Sequence, residues 1–234
     1  FYFSAIQEMG GEHASKLGIA IDDLQREKGW TWIITRTRVL FYGISSWRDT
    51  INLETWPQEP YRLHCPRVVN GYCNGSKIFA AMTLWAVIDM NRKRPIRPQE
   101  VMGSIQPAPA DKYFINPDIG KITRYDDAEK IKEYMIYRPT PAYYDIDYNK
   151  HVNNVVYLRW ITEAMDEDIL KTYRPSMFDV QWEHQTFSND KIYGQTALTA
   201  EADGKLSFAH RLMKEEYGKN DTVLFEACSE WVRK

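Results

Sequence analysis

The sequence predicts an α+β fold made of two tandem units, each a long helix wrapped by a curved antiparallel sheet. Three observations lead there. Apolar residues at helical spacing open the chain and give way to a long stretch rich in β-branched and aromatic residues. The same order, helix and then strands, recurs in the second half, and an extended, proline-punctuated segment lies between the halves. A sheet wrapped on one helix leaves apolar surface that a second such unit can cover, which is the physical sense of a pair.

Composition bounds the rest. With 234 residues and 27.6 kDa the chain could hold two cores of about 110 residues each. Aromatic residues at 14% and hydrophobic residues at 44% exclude a disordered polymer. A formal net charge of -2 supplies no global positive field, so nucleic acid is not an expected partner. Cys65, Cys73 and Cys228 show neither disulfide-framework nor metal-ligand spacing, as in a reduced compartment. No apolar run approaches the roughly 18 residues of a membrane span, and FYFSAIQEMGGEH lacks the basic start of a signal peptide. The chain reads as soluble and cytoplasmic.

In order along the chain, Phe3, Ile6, Met9, Ala14 and Leu17 mark a first helix that Gly18 stops. Asp22 and Asp23 open a shorter helix ending near Gly29, and WTWIITRTRVLFYG follows as strand. DTINLETWP alternates polar and apolar residues; RLHCPRVVNGYCNGSKIFAAMTLWAVID contains Asn-Gly twice, each expected to turn a hairpin. Pro95 and Pro98 end this run, and PAPADKYFINPDIG reads as connector, so the units are expected to span 1–125 and 126–234. A single helix is expected from about Asn153 to Tyr173, then strands in MFDVQWEHQTF, KIYGQTALTAEAD, KLSFAHRLMKEE and TVLFEACSEWVRK. A faint echo links the halves, since SSWRDTI and FSNDKIY each place an Asp two residues before an Ile.

DIDYNKHVNN, residues 145 to 154, concentrates polarity ahead of the second-half helix. Asp145, Asp147 and Asn149 fit the first positions of a calcium loop, but Lys150 stands where a turn glycine is needed and Val156 where a bidentate Glu is needed. Zinc would require further ligands that no spacing supplies. Asp and Asn before a helix also suit plain N-capping. If the stretch is extended, however, Asp147, Asn149 and His151 project to one side, beside the outward N–H groups of Asn153 to Val155. A base next to an anion-stabilising helix end suits acyl transfer to water.

DIDYNKHVNNVVYLRW resembles the DxNxHVNN segment of plant and bacterial acyl-ACP thioesterases. The likeness extends through GEHASKLGI, GWTWIITRTRVLFYGISSWRDTINLETWP and WAVIDMNRKRPIRP. It implies tandem hot-dog domains, with the helix at Phe1 lacking the strand that precedes it in the family, an N-terminal truncation. It implies hydrolysis of fatty acyl-[acyl carrier protein] with no metal or organic cofactor. Asp147, Asn149 and His151 become the catalytic set, and the acyl chain is expected in the first unit among residues such as Trp30, Trp32 and Trp85. A homodimer is compatible with it.

One departure stands out. The family's catalytic Glu, ungapped from Asp190, falls at Thr186, or at Gln185 in relatives shifted by one. Strand alternation would put Glu183 and Gln185 on one face. Acyl carrier proteins are acidic, so Arg92, Lys93, Arg94 and Arg97 form the expected docking patch. An acyl-CoA thioesterase on the same fold, or an acyl-binding module without turnover, are the alternatives.

Overall fold

A computed structural model describes residues 1–103, 105–107, 135–147 and 149–234. The chain divides into two compact units, Phe1–Gly120 and Lys121–Lys234. The boundary expected between 125 and 126 lies outside the described residues.

In the N-terminal unit, α1 (Tyr2–Lys16) buries Ile6, Gly10 and Ala14 on one side. Gly18, at φ 70°, carries the chain away from it, as expected. Asp23 Oδ2 accepts the Ala20 N–H at 3.1 Å to start α2 (Ile21–Lys28), which Gly29 ends in the left-handed conformation. Four strands follow: β1 (Trp30–Phe41), β2 (Ile51–Pro57), β3 (Cys65–Cys73) and β4 (Ser76–Asp89), paired antiparallel in the order β2-β3-β4-β1. The short β5 (Arg94–Ile96) pairs with β4, and α3 (Gln99–Met102) is one turn. Leu24, Val87, Ile96 and Val101 form a core into which Ile19, Trp30 and Trp32 pack; a buried side chain of that size contributes about 1.5–3 kcal/mol.

The two Asn-Gly pairs part company. Asn74 and Gly75 both take positive φ, 50° and 78°, and turn the β3–β4 hairpin. Asn70 and Gly71 do not form a turn; they lie inside β3. A Cβ on Gly71 would meet the Phe79 ring at 2.1 Å, so this glycine exists for a cross-strand aromatic contact, which local sequence does not announce.

The C-terminal unit begins, among the described residues, with β6 (Met135–Tyr137) and a 3₁₀ turn at Tyr143–Asp145. The expected single helix from Asn153 to Tyr173 is two: α4 (Asn154–Glu163) and α5 (Glu167–Thr172). Asp166 causes the break, because its carboxylate accepts the Asp168 N–H at 2.7 Å and caps a new helix instead of continuing the old one. Then come β7 (Tyr173–Trp182), β8 (Ile192–Ala202), β9 (Lys205–Lys214) and β10 (Thr222–Arg233), ordered β8-β9-β10-β7 with β6 beside β8.

Both units therefore share one plan: long helix, short helix, then four strands whose order is second, third, fourth, first. The faint sequence echo is a shared turn. Asp49 Oδ2 accepts the Ser46 N–H at 2.6 Å just before β2, and Asp190 Oδ2 accepts the Phe187 N–H at 2.8 Å just before β8. Among the described residues no helix is long and apolar enough to cross a membrane.

Candidate active site

Residues 149 to 151 turn and bend rather than extend, which corrects the expected one-sided projection of Asp147, Asn149 and His151. Ile146 and Val152 form an antiparallel bridge that closes the loop at its ends. The Asp147 N–H donates to His151 O at 2.8 Å, the Lys150 N–H donates to Asp147 O at 3.0 Å, and Lys150 takes φ 66°. Asp147 Oδ1 accepts the N–H groups of Asn149 at 2.9 Å and of His151 at 3.2 Å. The carboxylate thus holds the loop that displays the other two residues, an Asx-type use of Asp.

Asn149 is exposed, while Asp147 and His151 are half-buried. The His151 ring meets Phe187 edge to face with centroids 4.9 Å apart. Among the described residues its imidazole makes no hydrogen bond to the side chain of Asp147 or Asn149. The three residues share one loop, but no side-chain relay joins them.

The helix start also differs from expectation. The Asn153 N–H donates to Asp145 O at 2.8 Å, and the Val155 N–H donates to Asn153 Oδ1 at 3.0 Å. Of the three N–H groups expected to face a ligand, only that of Asn154 lacks a partner among the described residues. Asn153 is a true N-cap, and a cap consumes the donors it satisfies.

Sequence reasoning missed the role of Asp145. Its carboxylate is 2% exposed, accepts the Ala142 N–H at 2.8 Å and pairs with Arg159 Nη2 at 2.8 Å. This pair pins the loop to the middle of α4. No helical or strand spacing links positions 145 and 159, so nothing local could have found it.

The strand expected to run through 187 stops at Trp182. The consecutive N–H groups of Glu183 and His184 both reach Leu224 O, at 2.9 and 3.2 Å, so two residues oppose one and alternation ends there. Glu183 and Gln185 consequently do not share a strand face. Gln185 is exposed. Thr186 is fully buried: its carbonyl accepts the Val152 N–H at 2.8 Å and its Oγ1 accepts the Tyr157 hydroxyl at 2.7 Å. Burial pushes the Tyr157 hydroxyl up to about 12, so it remains a donor at neutral pH. Thr186 is anchored in the framework behind the loop.

A model of the acyl-ACP thioesterase N-terminal domain matches residues 2–105, and one of the C-terminal domain matches residues 128–233. The chain belongs to the acyl-ACP thioesterase family. A palmitoyl-acyl carrier protein thioesterase of Arabidopsis thaliana is 26% identical over 218 residues, 87% of this chain and 51% of that protein. A dodecanoyl-[acyl-carrier-protein] hydrolase of Cinnamomum camphora is 25% identical over 237 residues, 97% of this chain and 60% of that protein. The chain thus spans little more than half the length of these curated relatives. Among solved structures, an oleoyl thioesterase (putative) of Lactobacillus plantarum superposes with TM-score 0.80 at 15% identity, covering 99% of this chain and 87% of that one. The 12:0-ACP thioesterase of Umbellularia californica gives 0.78 at 21% identity, covering 100% and 86%. The fold is the tandem hot-dog fold of these acyl-ACP thioesterases.

Within this family member the basic residues lie where β4 turns into β5. Asp89 Oδ1 accepts the N–H groups of Asn91 and Arg92 at 2.9 and 2.8 Å and shapes the turn. Arg92, Lys93, Arg94 and Arg97 are all exposed. Arg92 lies 3.9 Å from Asp89, and the other three have no ion-pair partner among the described residues. Of the tryptophans expected along the acyl chain, Trp30 and Trp32 belong to the core under α2, and the Trp32 indole donates to Ile19 O at 2.7 Å. Trp85 instead lies within van der Waals range of the Gly10 position of α1.

Proposed function

We propose that this chain hydrolyses the thioester of a fatty acyl group carried on an acyl carrier protein, with the loop of Asp147, Asn149 and His151 as its reacting centre. The observation that carries this reading is the loop itself. In a family member, the matching polar segment is built as a closed turn that fixes His151, half-buried, one residue from the bridge at Val152 and close to the start of α4.

The chemistry follows from the groups present. His151 accepts a proton from water as the water oxygen attacks the thioester carbonyl carbon. Negative charge then develops on the carbonyl oxygen, where the Asn154 N–H and the Asn149 amide are the available donors. Loss of one such donor typically costs about 2.7–4 kcal/mol of transition-state stabilisation. Collapse of the tetrahedral intermediate breaks the C–S bond, and the imidazolium returns its proton to the departing thiolate. Asp147 keeps the loop closed through Oδ1, so its contribution is positioning.

An acidic carrier protein suits the exposed Arg92, Lys93, Arg94 and Arg97. The cytoplasm is the proposed compartment, consistent with Cys65, Cys73 and Cys228 being free cysteines.

A second reading, an acyl-binding module without turnover, draws on Gln185 and Thr186 standing where the family resemblance sets an acid. The two are separated by following thiol release from purified acyl-ACP and matched acyl-CoA. Turnover of acyl-ACP that falls roughly 100-fold or more in His151→Ala supports the hydrolase. Acyl binding without turnover in the wild type overturns it, and equal kcat/KM on both thioesters overturns the carrier-protein assignment.

A further inference from the structure

We propose that the interior of the N-terminal unit receives an acyl chain bearing a hydrogen-bond-accepting oxygen far from the thioester, held by Arg67. The inference rests on the acyl-group reading above and adds the class of acyl chain.

Arg67 lies on β3 and is only 8% exposed. Its Nη1 donates to His13 Nδ1 on α1 at 2.7 Å and to Thr55 Oγ1 on β2 at 3.1 Å. Guanidinium only donates, so His13 Nδ1 is the acceptor and its ring is neutral. Burial and the nearby Arg67 both pull His13 below its ordinary value, in keeping with that assignment. No carboxylate among the described residues pairs with Arg67. Burial lowers Arg67 to about 10, which still leaves it charged at neutral pH. A buried cation whose partners are all neutral is costly, and proteins ordinarily pair such a charge.

Arg67 is part of a row. Thr37 on β1 is paired with Thr83 on β4, and Thr83 is paired with Arg67 on β3, so the three side chains share one face of the sheet. That face lies under α1, since a Cβ on Gly10 would meet the Trp85 ring at 3.5 Å and Arg67 Cδ at 3.6 Å. Thr83 is occupied: its hydroxyl donates to Arg67 O at 3.3 Å and accepts the Trp85 indole N–H at 2.9 Å. Thr37, 1% exposed, has a hydroxyl without a partner among the described residues.

The unit assigned to the acyl chain by the family resemblance thus carries a cation and an unmatched hydroxyl on the helix-facing side of its sheet. A saturated chain supplies no acceptor to either. A hydroxyl, oxo or carboxyl oxygen on the chain supplies one to Arg67, and a charge-assisted hydrogen bond discriminates strongly against the analogue that lacks it.

The probes are amide analogues of acyl-pantetheine, equal in chain length, one unsubstituted, one with a terminal hydroxyl and one with a terminal carboxyl. Binding is followed by tryptophan fluorescence, with turnover of the corresponding acyl-ACPs in parallel. At least one oxygenated probe is expected to bind about tenfold tighter than the unsubstituted one. Arg67→Met is expected to erase that ratio while keeping affinity for the unsubstituted chain. If Arg67→Met does not fold, Thr55→Val, which removes an acceptor that orients Arg67, is expected to change the ratio. Equal affinity for all three probes in the wild type overturns the proposal, as does an unchanged ratio in folded Arg67→Met. Absence of turnover with the binding preference intact would remove the hydrolase reading and leave this one standing; turnover without preference would do the reverse.

Discussion

Tyr157 donates its hydroxyl to Thr186 Oγ1 at 2.7 Å in the C-terminal unit, and Tyr2 meets Ser45 Oγ at 2.9 Å in the N-terminal unit. In both cases the tyrosine lies on the long helix and the hydroxyl residue lies in the segment between the first and second strands, ahead of the turn aspartate. A contact made at the same place in both halves is part of the shared framework. Tyr157→Phe and Thr186→Val are each expected to cost about 1 kcal/mol in urea unfolding, and the double variant should lose less than the sum. Full additivity would show that the two side chains do not stabilise each other.

Asp147 separates loop support from chemistry. Asp147→Asn keeps an oxygen that can accept the Asn149 and His151 N–H groups, whereas Asp147→Ala does not. Asp147→Ala is expected to lower kcat more than Asp147→Asn and to lower stability by about 1 kcal/mol. Equal kcat in the two would move Asp147 from positioning into the reaction itself.

Arg159 and Asp145 form a pair in which only the carboxylate is buried. Arg159→Met leaves the Asp145 carboxylate buried without its cation, an uncompensated charge that typically costs about 3 kcal/mol when both partners are buried and less here because Arg159 is half exposed. Denaturation midpoints, with KM and kcat measured alongside, distinguish loss of fold from a loosened loop. A variant with unchanged midpoint and unchanged kinetics would show that the pair does not hold the loop.

Acid sensitivity should trace in part to His210. It is 1% exposed, between Thr196 Oγ1 at 3.0 Å and Ser229 Oγ at 2.8 Å, and burial lowers it to about 3 from the ordinary 6.5. Below pH 6.5 the unfolded chain binds a proton here that the folded chain refuses, so stability falls as pH drops from 6.5 toward 3. The slope from this one group is at most about 1.4 kcal/mol per pH unit. His210→Asn is expected to flatten the dependence of the urea midpoint between pH 6 and about pH 4; an unchanged slope would assign it to other groups.

Gly71 and Gly194 each face an aromatic ring, with a Cβ meeting Phe79 or Tyr137 at 2.1 Å. Gly71→Ala is expected to destabilise by about 1–3 kcal/mol through overpacking, and Phe79→Leu in the same chain should recover part of it. No change in Tm for the single variant would contradict that contact.

Local chemistry in the sequence was enough for α1 with its Gly18 stop, α2 between Asp23 and Gly29, the Asn74-Gly75 hairpin and the late strands, because spacing, caps and turn residues act within a few positions. It also located the polar loop, since Asp147, Asn149 and His151 are adjacent in the chain. Tertiary structure decided what adjacency cannot: that the loop is closed rather than extended, that the Asn153 cap takes the Val155 N–H, that Thr186 belongs to Tyr157, and that Arg67 is buried without an acid. Each of these depends on a partner brought close by strand register or helix packing, and the energy of such a contact is set by burial and distance, quantities that a linear order of residues does not contain.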